Sequence, residues 1–337
     1  MNRSISLFIA FTFALFVPRA SHALSNCLLY ADDVFNQLQR NAWYLPTSDG
    51  QAQLYVTYLG RGSPVVFLHG GPGNDFQYII DALRPHLEAH RFVLYEQRGS
   101  LLSPVPEKDI SKLSIQQQVA DLETLRKALG LKKLVLFGHS FGTFLALMYY
   151  EAHPDHVQGM ILAGSVPPGF GRPRLAGWVK SMRPRQKALL GRMDAIAKAE
   201  KGAGLPADSR ADTAEQSSIR WHIAKQAALD IVDLSRWQQV TGGQVYYNPK
   251  VDDAIGNTLP NEFDITPTLK SHPVPITVIS GDQDYIDPSG ETWKSLTADN
   301  PVVIHVMPHA GHYSWIDDPK AFSAAFENGL VRSEKGP

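Results

Sequence analysis

With 337 residues, 44% of them apolar and 19% charged, the chain is long and apolar enough to bury a core of its own. A formal net charge of −1 at pH 7 gives no sign of a nucleic-acid or anionic-surface partner, and no nucleic-acid partner is expected. The single cysteine, Cys27, excludes an intramolecular disulfide and a cysteine-built metal cluster.

The chain opens with a targeting pattern. Met1-Asn2-Arg3-Ser4 is a short basic start, and Ile5 to Val17 is an apolar run too short to span a bilayer comfortably. Ser21-His22-Ala23 then offers small residues at the two positions a signal peptidase reads, which predicts cleavage after Ala23. Residues 1–23 are therefore expected to be a signal peptide, and the protein to be exported, periplasmic or secreted, with no stable membrane association after cleavage. Two other readings of this segment are an uncleaved anchor and lipidation at Cys27.

Residues 27–43 read as a short helical or irregular entry. Gln53 to Leu59 alternates like a strand, Gly60-Arg61-Gly62-Ser63 turns, and Pro64 to Leu68 is a continuous apolar strand ending in His69-Gly70-Gly71-Pro72-Gly73. Asp75 to His90 carries Tyr78, Ile79, Ala82, Leu83 and Leu87 on one side and reads as a helix. A strand over Arg91 to Tyr95 follows and ends in Glu96-Gln97-Arg98-Gly99-Ser100. Ser114 to Gln117 is a capping box opening an amphipathic helix that Gly130 closes. Next come an apolar strand over Leu134 to Phe137, a helix over Thr143 to Glu151, and a strand over Val157 to Val166. From 167 to 268 no buried strand is evident; Pro184 to Lys201 and Ser217 to Val240 read as helices. Strands return at Pro275 to Ser280 and Pro301 to Met307, with Asp287-Pro288 and Asp318-Pro319 as helix starts. Strand alternating with helix predicts an α/β fold with a mostly parallel sheet flanked by helices. Its first part spans 24–166 and its second 269–337, and 167–268 is an inserted helical cap over the carboxyl edge where such sheets bind ligands.

Between the strand at Leu134 and the following helix stands Gly138-His139-Ser140-Phe141-Gly142. A serine on a strand-to-helix corner is a nucleophile elbow: the turn is too tight for side chains at the flanking glycines and forces the serine into a strained, exposed conformation. A hydroxyl is a poor nucleophile at neutral pH and needs a base, which in turn needs an orienting carboxylate. Both follow in the order expected of this corner. Asp284 is the candidate acid, in Gly281-Asp282-Gln283-Asp284; Asp282 is read as supporting the turn and Asp287 as capping a helix. His312 is the candidate base, with His309 as competitor, because Gly311 permits close approach. The glycines after His69 can bring backbone N–H groups to a developing oxyanion, each worth about 3 kcal/mol in the transition state. The hole is expected to combine Phe141 N–H with Gly71 N–H, Gly70 being the alternative, and His69 is read as a structural hydrogen-bonder. No cofactor or metal is expected, since no His-Glu-x-x-His, phosphate-loop or dinucleotide glycine pattern occurs.

With these residues in place, the chain resembles the proline iminopeptidase family of α/β-hydrolases. His69 to Gly73 is the most specific match, Glu96 to Ser100 is similar to the family's Asp-Gln-Arg-Gly-Ser, and the elbow, the Gly-Asp-x-Asp turn and the Gly-His turn agree in order. The likeness covers about 52–166 and 272–325. It implies an α/β-hydrolase core with a helical cap, a triad of Ser140, Asp284 and His312, and release of N-terminal proline from peptides. In the family, cap carboxylates hold the substrate's amino group; Glu200, Glu215 and Glu262 are the acids available here. The elbow departs from the family's usual Gly-Gly-Ser-Trp-Gly and reads as in many esterases. The alternative is therefore an esterase, lipase-like enzyme or amidase with an apolar cap pocket, for which Trp178, Trp221 and Trp237 are available. A third reading is a non-catalytic ligand-binding protein of this fold. The partner expected is a small peptide or small acyl substrate.

Overall fold

The computed structural model describes residues 34–202, 226–241 and 247–336, leaving out the side chains of most residues in 172–181 and 197–202. The expected cleavage after Ala23, Cys27, Glu215 and Trp221 lie outside the described residues, as do the side chains of Trp178 and Glu200.

A sheet of eight strands runs in the order β1-β2-β4-β3-β5-β6-β9-β10. The strands are β1 (Trp43–Pro46), β2 (Gln53–Gly60), β3 (Ser63–Leu68), β4 (His90–Tyr95), β5 (Leu134–His139), β6 (Val157–Ala163), β9 (Ile276–Gly281) and β10 (Val302–Met307). From β4 to β10 every pairing is parallel, while β1 and β2 pair antiparallel at one edge. The central strands are apolar at almost every position because both faces are covered. Val66, Leu68, Leu136, Leu162 and Val278 pack under the helices Ile115–Ala128 and Phe141–Ala152. Their alternates Val65, Phe67, Phe137, Ile161 and Ile279 face Phe322, Phe326 and Leu330 of the helix Pro319–Lys335. This is the mostly parallel, helix-flanked sheet expected from the sequence. Ser114 closes both halves of its capping box, accepting from Gln117 N–H at 3.3 Å while its own N–H donates to the Gln117 side chain at 3.1 Å.

Several elements differ from expectation. Residues 75–90 form no continuous helix: short turns at Gln77–Ile79, Ile80–Leu83 and Arg84–His86 replace it, and His90 already belongs to β4. Pro85 withholds the N–H a longer helix needs. The entry segment contains a helix over 34–40 and the short strand β1. Pro184 lies inside the helix Arg172–Leu190, which starts with Pro173 in its first turn, and a second helix covers Met193–Gly202. The described part of Ser217 to Val240 is helical only over 226–230. Asp233 then accepts from Ser235 N–H and starts a separate turn, Leu234–Gln239. The insertion also holds a small antiparallel pair, β7 (Gly169–Phe170) with β8 (Phe263–Asp264).

The described insertion residues touch the loops that leave the carboxyl ends of the main strands. Asn248 N–H donates to the Gly73 carbonyl at 3.0 Å, and Arg185 donates to the Tyr285 carbonyl at 3.1 Å. Asp317, after β10, accepts from Val232 N–H at 3.0 Å, from Asp233 N–H at 3.1 Å and from Gly311 N–H at 2.8 Å.

Candidate active site

Ser140 follows β5 directly with φ 54° and ψ −122°, a backbone conformation that L-residues rarely adopt. The strain is held from both sides. Its N–H donates to the Ala163 carbonyl at 3.1 Å, and its carbonyl accepts from the Thr143 hydroxyl at 2.6 Å. Close approach explains the flanking glycines: a Cβ at Gly138 would stand 2.7 Å from the Gly142 carbonyl oxygen, and one at Gly142 would stand 1.9 Å from that of Leu68.

His312 and Asp284 come together. The imidazole Nδ1 donates to Asp284 Oδ2 at 2.9 Å, and both side chains are buried. The other carboxylate oxygen accepts Ile286 N–H at 2.8 Å, which fixes the acid's orientation. Gly164 leaves room for the ring, since a Cβ there would sit 2.6 Å from His312 Nδ1. Burial pushes the His312 pKa down, but the charge and hydrogen bond of Asp284, with the nearby charge of Asp230, outweigh it and raise the pKa above 6.5. Nε2 is buried and makes no hydrogen bond among the described residues, so the bond to the Ser140 hydroxyl is not formed in this structure. Such contacts commonly tighten only when substrate binds.

The competitors stand elsewhere. His309 is exposed on its turn, Asp282 is exposed, and Asp287 stands at the N-cap position of the following turn without a side-chain capping bond, its carboxylate accepting from the Thr292 hydroxyl at 2.6 Å. His69 is fully used, donating from Nδ1 to the Gly70 carbonyl and accepting Gln97 N–H at Nε2 at 3.1 Å; burial lowers its pKa to about 4. Gly70 N–H is committed to Tyr78 Oη at 2.6 Å. Gly71 N–H and Phe141 N–H, in contrast, have no hydrogen-bond partner among the described residues. Phe141 opens the helix Phe141–Ala152, so its N–H lies at the positive end of the helix dipole.

Of the three acids available in the insertion, Glu262 is exposed and lines an open cleft with Met148, Glu151, Phe170 and Phe263. Met148 and Glu151 mark the far end of the helix that Ser140 begins, so Glu262 is not brought to the site. Phe263 beside it is anchored against Phe144 and Phe170, which fixes that position. Glu200 falls in the helix Met193–Gly202. Trp237 packs, half-buried, against the core.

The acid that does reach the site is Asp230, which the sequence reading passed over. It is buried, its carbonyl accepts Tyr313 N–H at 2.7 Å, and its charge raises the pKa of His312 and of Tyr285 and Tyr313. The signal was a lone carboxylate in the apolar run Ala227-Ala228-Leu229-Asp230-Ile231, a placement acids avoid without a reason. Away from the site, Glu123, His153 and His156 stand within metal-ligating distance of one another. Glu123, however, already carries Arg126 on both oxygens, at 2.8 and 2.7 Å.

Comparison with known proteins bears on the fold and the family. The pattern of the alpha/beta hydrolase fold matches residues 63–319. The proline iminopeptidase of Lactobacillus helveticus is 26% identical over 300 residues, covering 84% of this chain and 96% of that protein. Among solved structures, a proline iminopeptidase-related protein from Thermus thermophilus superposes with a TM-score of 0.61 at 27% identity, over 86% of this chain and 97% of that one. An esterase from Exiguobacterium antarcticum shares the fold, with a TM-score of 0.59 at 19% identity over 86% and 98% of the two chains.

Proposed function

The chain belongs to the alpha/beta hydrolase fold family, in which it resembles the proline iminopeptidases, and from that membership we propose that it is an exported serine hydrolase releasing N-terminal proline from small peptides. The observation that carries this reading is the buried His312–Asp284 pair on loops leaving the same sheet edge as the strained Ser140. Ser140 Oγ attacks the carbonyl carbon of the N-terminal residue as His312 Nε2 takes the hydroxyl proton. The imidazolium so formed is supported by Asp284. Gly71 and Phe141 N–H groups receive the oxyanion. As the C–N bond breaks, His312 returns the proton to the departing amine, and water then hydrolyses the acyl-enzyme by the same proton route.

A substrate with a free amine is charged, and its recognition calls for an anion near the base. Asp230 supplies a negative charge there, which supports the peptidase reading. The second reading, an esterase or amidase on small acyl substrates, is supported by the elbow Gly138-His139-Ser140-Phe141-Gly142 and by the shared fold of the esterase above.

Hydrolysis of a prolyl arylamide and of a short-chain nitrophenyl ester by the chain from Leu24 onward separates the two, with Ser140→Ala as control. Cleavage of the arylamide that stops when its amine is blocked supports the peptidase. Cleavage of the ester alone moves the search to acyl substrates, and activity surviving in Ser140→Ala removes the serine mechanism. Export is tested by the N-terminal sequence of the protein recovered from its host, expected to begin at Leu24.

A further inference from the structure

We infer that Tyr78 and His139 are positioning residues that lock the oxyanion loop to the nucleophile elbow and thereby leave Gly71, rather than Gly70, to supply the loop's N–H donor. The inference rests on the serine-hydrolase reading above and deepens it.

Three groups meet at one buried point. Gly70 N–H donates to Tyr78 Oη at 2.6 Å, and Tyr78 Oη lies 2.9 Å from His139 Nδ1. His139 immediately precedes Ser140, so the oxyanion loop after β3 and the elbow after β5 are joined by a single phenol. Hydrogen-bond bookkeeping fixes the direction. Tyr78 accepts from Gly70, and its one proton has His139 Nδ1 as its acceptor. Nδ1 is then the lone-pair nitrogen and the proton sits on Nε2. Burial first, then the neighbouring His312, holds the His139 pKa well below 6.5, so the ring is neutral and has a lone pair to offer.

Aromatic packing holds these parts from several sides. The His139 ring centroid stands 4.7 Å from that of His312, 4.8 Å from Trp315 and 5.1 Å from Tyr313. Tyr78 itself stacks on Tyr313 at 5.3 Å. A Cβ at Gly70 would lie 3.0 Å from His139 Nδ1, 3.0 Å from Ser140 Cβ and 3.1 Å from Tyr78 Oη, so glycine is what lets the loop close on the phenol. The phenol holds Gly70 N–H on one side and His69 Nδ1 holds the Gly70 carbonyl at 3.0 Å on the other, so the peptide that carries Gly71 N–H is fixed beside the elbow. A donor aimed before the reaction contributes more than one that must be oriented during it.

The test uses the second-order rate of covalent labelling by a fluorophosphonate, which passes through an oxyanion-like transition state and needs no knowledge of the substrate. Labelling of the wild-type chain at Ser140, slowed roughly 10- to 100-fold in Tyr78→Phe with its pH dependence unchanged, is the expected result. His139→Leu should slow labelling similarly. His139→Asn, whose side-chain oxygen falls near the position of Nδ1, should recover most of the rate, which a loss of packing alone would not allow. Should Tyr78→Phe fail to fold, the two His139 variants decide the matter. Labelling within twofold of wild type in Tyr78→Phe, or no recovery in His139→Asn relative to His139→Leu, overturns the lock while leaving the serine mechanism standing. A wild-type chain that is not labelled at Ser140 overturns both.

Discussion

Ser140 holds a backbone conformation that costs about 1–3 kcal/mol for a residue with a side chain and almost nothing for glycine. The strain is tolerated because the end of β6 and the first turn of the following helix hold the residue from both sides, and its return is a hydroxyl lifted clear of the sheet. Ser140→Gly is therefore expected to be inactive and more stable than wild type by about 1 kcal/mol in thermal or denaturant unfolding; a destabilised variant would show that the corner is not strained. The His312 pKa is raised from its ordinary value, so its imidazolium persists to higher pH than a free imidazole's and the neutral base grows in as pH rises through that raised pKa. The acid limb of kcat/KM is expected above pH 6.5. Asp230→Asn removes one of the charges holding the proton on, so the limb should shift to lower pH, with KM rising for any amine-bearing substrate. A limb that does not move in Asp230→Asn would place that carboxylate outside the electrostatics of the base. Ser140, Asp284 and His312 were legible in the sequence because each sits at a strand end within a glycine-marked turn. Asp230 and Tyr78 were not, since their importance lies in what stands opposite them across the fold.

At the level of elements, the apolar runs at Leu134 and Ile276 announced themselves because strands covered on both faces lose their polar alternation. The segment 75–90 misled for a physical reason. Its apolar spacing is real, and Tyr78, Ile79, Ala82 and Leu83 are all buried, but Pro85 breaks the hydrogen-bond ladder, so the face survives without the helix. Beside the bond from Tyr313 N–H to the Asp230 carbonyl, one carboxylate ties the insertion to the base loop. Asp317 accepts three N–H groups, from Val232 and Asp233 on one side and Gly311 on the other. Asp317→Ala leaves those donors to water or to nothing, at a cost of about 2 kcal/mol, since the site is only half-buried. The variant should melt earlier and lose kcat through a loosened His312. Unchanged melting and turnover would mean that the two segments are held by their other contacts.

Across the whole molecule, the sheet and its order of functional loops follow from the alternation of strand and helix, which is a local signal summed over many residues. The insertion is harder to read because its described residues add no strand to the main sheet, so the alternation that marks the rest of the chain is missing from it. It leaves and rejoins the sheet at one place: Gly169–Phe170 pairs with Phe263–Asp264, Ile265 N–H donates to the Pro168 carbonyl at 3.0 Å, and Phe170 and Phe263 both pack on Phe144. A detour whose two ends are stapled together makes no demand on the strands beneath it. Mutation can lengthen, shorten or replace those parts of the insertion that do not touch the loop carrying His312 while the sheet stays intact, so new specificities can arise there by descent with the strand-end loops kept.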